Sequence, residues 1–144
     1  MHVREVLATK GSNVVSVPPQ CPVAGLLSLL AEHGIGAAVV SPDDGTVGGI
    51  VSERDVVRAL AERGPAVLQE PVSSICTEAV HTVEPDARLE EVMRVMTDHR
   101  VRHLPVVTQG SLVGIVSIGD VVKRRIDQLE SERAALDEYI HTGG

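Results

Sequence analysis

The tetrapeptide Gly-Ile-Val-Ser stands at 49–52 and again at 114–117, and each time an aspartate follows three residues after the serine. The longer windows, Gly49-Ile-Val-Ser-Glu-Arg-Asp-Val-Val-Arg-Ala-Leu60 and Gly114-Ile-Val-Ser-Ile-Gly-Asp-Val-Val-Lys-Arg-Arg125, agree at seven of twelve positions. A duplicated unit constrains the fold more tightly than any composition does, because both copies must adopt one architecture and find a common way to pack. Upstream the offset grows from 65 to 66, with a one-residue gap near Ser41–Gly45, and Val17 falls on Val83, Pro19 on Pro85 and His33 on His99.

The apolar positions 23, 26, 27 and 30 match 89, 92, 93 and 96, and both sets follow the i, i+3, i+4, i+7 spacing of a helix with one buried face. A β-branched run follows each helix, Ala37–Val40 in the first copy and Leu104–Val107 in the second. Turns are expected around Asp43-Asp44-Gly45 and Gln109-Gly110, and then an apolar strand leads into Ser-x-x-Asp. Each copy therefore predicts strand, helix, strand, turn, strand, helix over roughly 60 residues. A lone unit of that size has too much surface for its volume. The expectation is one domain of two associated halves, 1–70 and 71–127, with a helical extension at 128–144.

Composition narrows the function. A net charge of −7 argues against a general nucleic-acid binder, which needs clustered Lys and Arg. With Tyr139 as the one aromatic residue there is no stacking platform for single strands, and a bound purine would lie against aliphatic side chains. No stretch resembles a signal peptide or approaches the ~18 apolar residues of a membrane span, so a soluble, cytoplasmic protein is expected. Cys21 and Cys76 are read as two reduced thiols. The histidines form no metal-ligand pattern, and nothing marks a nucleophile with its base, so neither a metal site nor catalytic residues are assigned.

Ser52-x-x-Asp55 and Ser117-x-x-Asp120 sit where a strand passes into a helix. As helix caps they would satisfy unpaired backbone N–H groups. An acidic acceptor with a hydroxyl beside a helix N-terminus also suits a ribose diol, with the positive helix end near a phosphate. Both roles are open at each position.

The two Gly-Ile-Val-Ser-x-x-Asp segments, with Val101-Arg-His-Leu-Pro-Val-Val107 and Leu112-Val-Gly-Ile-Val116, make the chain resemble a tandem pair of CBS domains (a Bateman module) over about residues 1 to 127. The resemblance implies an α+β, α/β-like fold of two pseudo-symmetric βαββα repeats, followed here by a long C-terminal helix. It also implies a regulatory module that binds AMP, ADP, ATP, NAD or S-adenosylmethionine in clefts between the repeats, and dimers of such modules. On that resemblance Ser52 with Asp55, and Ser117 with Asp120, contact ribose. Val14, Val15 and Ser16, Ile35, Gly36 and Ala37, Val80, His81 and Thr82, and Val101, Arg102 and His103 line the adenine pockets.

The copies differ where charge matters. His99-Arg-Val-Arg-His103 stands where the first copy has His33-Gly-Ile-Gly-Ala37. Either this basic run is a solvated loop, or Arg100, Arg102 and His103 join Arg54 in supplying positive charge to phosphates in one cleft more than the other, as arginine forks do. Two non-equivalent sites are expected on the second reading. In the tail, Val122, Ile126, Leu129, Leu136 and Ile140 approach a heptad seam with Arg133 at the missing step. That helix packs on its own domain or meets a copy of itself in a homodimer. A ligand-free adaptor acting through this helix is the alternative to a nucleotide sensor.

Overall fold

The computed structural model of the chain describes residues 1–11, 14–43, 45–78 and 81–143. In the first repeat a short strand β1 (Ser16–Val17) precedes helix α2 (Val23–His33), strands β2 (Ala37–Val40) and β3 (Gly49–Ser52) and helix α3 (Glu53–Arg63). In the second, a lone parallel bridge from Val83 to Val106 stands in place of the first strand. Helix α4 (Leu89–His99), strands β5 (His103–Thr108) and β6 (Ser111–Ser117) and helix α5 (Ile118–Gly143) follow. The expected βαββα order and the long C-terminal helix are present. Asp44, in one expected turn, and Val80, in one expected pocket segment, lie outside the described residues.

Periodicity placed the helices because their buried faces do follow it. Val23, Leu26 and Leu30 of α2, and Leu89, Val92 and Met96 of α4, are buried. Both helices end on a left-handed residue, Gly34 (φ 62°) and Arg100 (φ 55°). Strands β5 and β6 close through Gln109 and Gly110, both at positive φ, as a two-residue hairpin requires.

Two elements carried no repeat signal. Helix α1 (Val3–Lys10) opens the chain, and strand β4 (Thr77–Glu78) pairs with β3 to complete the four-stranded order β1-β2-β3-β4. Their placement shows how the halves are joined. Val3 and Val6 of α1 pack in the core of the second repeat with Leu89, Leu104 and Val116. Val67 and Val72, from the 3-10 turns Pro65–Gln69 and Val72–Ser74, pack in the core of the first. The division at residue 70 follows chain order, but packing crosses it at the N-terminus, where α1 belongs to the far half.

The glycine of Gly-Ile-Val-Ser has its explanation here. A side chain on Gly49 would place Cβ 2.7 Å from the carbonyl oxygen of Thr77 in β4, and one on Gly114 would lie 2.6 Å from Leu7 Cδ2 of α1. Each marks where a neighbouring segment crosses β3 or β6 inside ordinary contact distance of a Cβ. The neighbour at Gly49 is fixed backbone, whereas at Gly114 it is the end of a flexible side chain. Gly49→Ala is therefore expected to lose about 1–3 kcal/mol of unfolding free energy in urea, the usual range for an overpacked site, and Gly114→Ala distinctly less.

Candidate functional site

Ser52 is the N-cap of α3, and its hydroxyl accepts from the Asp55 amide at 3.3 Å. Asp55 Oδ2 accepts in return from the Ser52 amide at 2.8 Å and from the Ser52 hydroxyl at 3.1 Å. The second copy repeats the device, with Ser117 N to Asp120 Oδ2 at 2.9 Å and Asp120 N to Ser117 Oγ at 3.1 Å. Both Ser-x-x-Asp segments are thus reciprocal caps that satisfy two orphan backbone donors. Capping uses one carboxylate oxygen. Among the described residues nothing donates to Asp55 Oδ1.

What surrounds the two aspartates differs. Asp55 opens onto a cavity of about 870 Å³ whose wall comes from both repeats. The first contributes Gly36, Ile50 and Ser52 through Asp55, with Val57 and Arg58. The second contributes His81 and the run His99 through Leu104, and Thr77 and Glu78 of β4 complete the wall. The rings of His81 and His99 stack at a centroid distance of 3.8 Å. The cavity sits at the β3–β4 side of the sheet, and that geometry decides which expected residues reach it.

Gly36, Ser52, Arg54, Asp55, His81, Arg100, Val101, Arg102 and His103 are brought together on its wall. Val14, Val15 and Ser16 are not, because β1 lies at the opposite edge of the sheet beyond β2. Ala37 is buried in β2 opposite Ser52, while Ile35 and Thr82 fall outside the wall. Ser117 and Asp120 are also absent from it. All of His99 through His103 lines the cavity, with His99, Arg100 and Arg102 exposed to solvent. His103 is not the cation assigned to it above, however. Burial first, then the nearby Lys10 charge, hold its pKa below the ordinary histidine value, against the pull of Asp120 and Glu53. It faces the cavity as a neutral imidazole near pH 7, able to donate one hydrogen bond and accept another.

At Asp120 a lysine is added to the capping oxygen: Lys10, from the last turn of α1, pairs with the same Oδ2 that accepts from the Ser117 amide, and among the described residues nothing donates to Asp120 Oδ1 either. Lys10 Nζ lies 2.5 Å from Asp120 Oδ2 and donates to the Ile115 carbonyl at 3.0 Å. Burial works against the Asp120 carboxylate, but the hydrogen bonds from Lys10 and the Ser117 amide outweigh it and hold the pKa below its ordinary value of 3.8. Sequence reasoning missed Lys10 because α1 has no helical counterpart in the second copy, where the corresponding segment is a 3-10 turn followed by β4. The spacing of Val3, Val6 and Leu7 was the available signal for a helix. Arg58 was also missed, although it stands one turn after Arg54 on α3. Among the described residues no group of three His, Cys, Asp or Glu is placed to hold a metal ion, and no helix is long and apolar enough to cross a membrane.

The CBS domain family matches the chain twice, at residues 3–62 and 72–127. The chain belongs to the CBS-domain family. The mitochondrial CBS domain-containing protein CBSX3 of Arabidopsis thaliana is 36% identical over 118 residues, covering 79% of this chain. The chain spans 57% of that relative's length. A CBS-domain-containing protein of Agrobacterium tumefaciens is 43% identical, with a TM-score of 0.83 over 87% of this chain and 99% of that one. A CBS domain protein of Pyrobaculum aerophilum, solved in complex with AMP, is 30% identical, with a TM-score of 0.75 over 83% of this chain and 89% of that one.

The Lys10–Asp120 pair has a checkable pH signature. A carboxylate whose pKa is depressed by folding contributes stability above its unfolded pKa and loses it as pH falls through the folded one. Lys10→Met is expected to be less stable than the parent by about 1 kcal/mol or less at pH 6, the range of a partly exposed pair. The gap between the two urea midpoints should close as pH drops below 3.8.

Proposed function

We propose that the chain is a non-catalytic sensor that takes one adenosine-containing nucleotide between Asp55 and the arginines of the shared cavity. One observation carries the reading: the Asp55 carboxylate and four guanidinium-bearing residues, Arg54, Arg58, Arg100 and Arg102, line a single cavity walled by both repeats. In this role Asp55 accepts from the ribose hydroxyls with the oxygen that capping leaves over. Ile50, Val57, Val101 and Leu104 offer the purine an aliphatic wall, and the arginines receive phosphate. The AMP complex of the Pyrobaculum relative supports a ligand of this class. Apolar burial, ribose hydrogen bonds and phosphate contacts of a few kcal/mol or less each are compatible with micromolar affinity, about −8 kcal/mol net.

Sensing follows from the shared wall. A ligand touching both repeats favours the arrangement that holds both walls at contact distance. It shifts a conformational equilibrium only by its difference in affinity for the alternatives. The second Ser-x-x-Asp is unequal in this scheme, since Lys10 already neutralises Asp120. Calorimetry with AMP should therefore give one site per chain. Asp55→Ala is expected to weaken it at least tenfold and to cost the fold about 1 kcal/mol through the lost cap, whereas Asp120→Ala changes AMP affinity less than threefold. Equal losses in the two variants, or no loss at Asp55, would remove the ribose role.

The partner of helix α5 in this reading is a second copy of the chain. Val122, Ile126, Leu129, Leu136 and Ile140 form its seam, and each is 44–59% exposed. A parallel pair would stack Arg133 on Arg133. An antiparallel pair that sets Val122 against Ile140 puts Arg133 opposite Leu129, near Glu130 and Glu132, and brings Lys123 beside Asp137. The double variant Leu129→Glu/Leu136→Glu should halve the mass measured by light scattering while leaving the circular dichroism of the module in place. An unchanged mass would rule out this seam as the dimer contact.

A further inference from the structure

Arg100 is held in a backbone conformation that suits glycine. The matching helix end in the first repeat carries Gly34 at φ 62° and ψ 38°, and Arg100 adopts φ 55° and ψ 40°. The equivalence is physical as well as sequential. The Glu53 amide donates to the Gly36 carbonyl at 2.9 Å, and the Ile118 amide donates to the Arg102 carbonyl at 2.8 Å. Gly34 and Gly36 thus correspond to Arg100 and Arg102. A left-handed conformation is unfavourable for a residue with a Cβ, so a glycine at 100, as at 34, would cost the fold less than the arginine does.

We propose that the cavity selects a nucleoside di- or triphosphate over a monophosphate, and that Arg100 and Arg102 set this preference at the expense of local stability. The inference rests on the nucleotide reading above and names its ligand class. Arg54 and Arg58 are four residues apart on α3, about 6 Å along the axis, and Arg100 and Arg102 reach the same cavity from the α4–β5 joint. Among the described residues, ion pairs within 4 Å engage Arg63 and Arg124 but none of these four. Four guanidinium forks on two walls offer more donors and charge than a single phosphate uses, whereas a chain of two or three phosphates presents oxygens to both pairs. The wall also carries Glu53, Asp55 and Glu78, so its positive excess is small and localised. A sulfonium-bearing nucleoside gains nothing from it.

The test is calorimetric titration of the full chain with adenosine, AMP, ADP, ATP and NAD, without divalent metal, at low and moderate salt. ADP and ATP are expected to bind at least tenfold more tightly than AMP, with the gap narrowing as salt rises. Arg100→Gly should raise the thermal midpoint and shrink the ATP-over-AMP ratio to less than threefold. Arg100→Asn, which also tolerates the left-handed region, should do the same, and Arg94→Ala on the exposed face of α4 should preserve the ratio. Equal affinity for AMP and ATP in the parent overturns the inference alone, as does an Arg100→Gly protein that keeps the full ratio. NAD binding tighter than ATP overturns it in favour of a bridged pyrophosphate. Failure of all five compounds to bind overturns the nucleotide reading itself.

Discussion

The exchange of apolar segments between the two repeats is the constraint on which the rest of the structure depends. The Val72 amide donates to the Cys21 carbonyl at 2.8 Å, and the Val3 amide donates to the Ala87 carbonyl at 2.9 Å. These are corresponding bonds, formed as the segment before each repeat folds into a core. Val3 and Val72 are fully buried, each worth about 1.5–3 kcal/mol of apolar transfer. Neither half can complete its core without residues that the chain delivers from outside it. The crossing also accounts for the repeated glycine, since Gly49 and Gly114 are where the arriving segments press against the sheet.

The pseudo-symmetry then breaks at two places, and both breaks concern charge. After Val72 the chain turns into β4 and runs along β3, leaving Asp55 beside an open cavity. After Val6 it continues as helix, and Lys10 reaches Asp120. The arginine pair at 100 and 102 replaces two glycines and faces the Asp55 side. Asp55 therefore shares a cavity wall with four guanidinium-bearing residues, while the charge of Asp120 is already met by an internal lysine. A fold built from two like halves has become unequal through the segment that enters each half and the side chains it brings.

The caps show why a structural and a binding role need not compete. Each aspartate spends one oxygen on its own helix start. The geometry that fixes the carboxylate for capping also orients its remaining oxygen, so no further ordering is required when a hydroxyl arrives. Duplication of the motif was thus legible as a cap, which the structure shows at both copies, and the ribose role proposed for Asp55 is compatible with it.

The repeat, the helix faces at 23–30 and 89–96, the strands at 37–40 and 104–107 and the family itself were all written locally, in periodicity and in short motifs. So was the clustering of Arg54, Arg100 and Arg102, because the copies differ there in charge. Local pattern carried no information about β1 lying at the far sheet edge, which keeps Val14 through Ser16 off the cavity wall. It carried none about α1 folding into the distant core, because Lys10 and Asp120 meet across 110 residues and nothing in either neighbourhood names the other. The neutral state of His103 was equally hidden, being set by burial and by that same lysine. The chain alone determined what each half becomes. Only packing decided which carboxylate faces the shared cavity and which meets a lysine, since that depends on which segment crosses each sheet and what charge it brings.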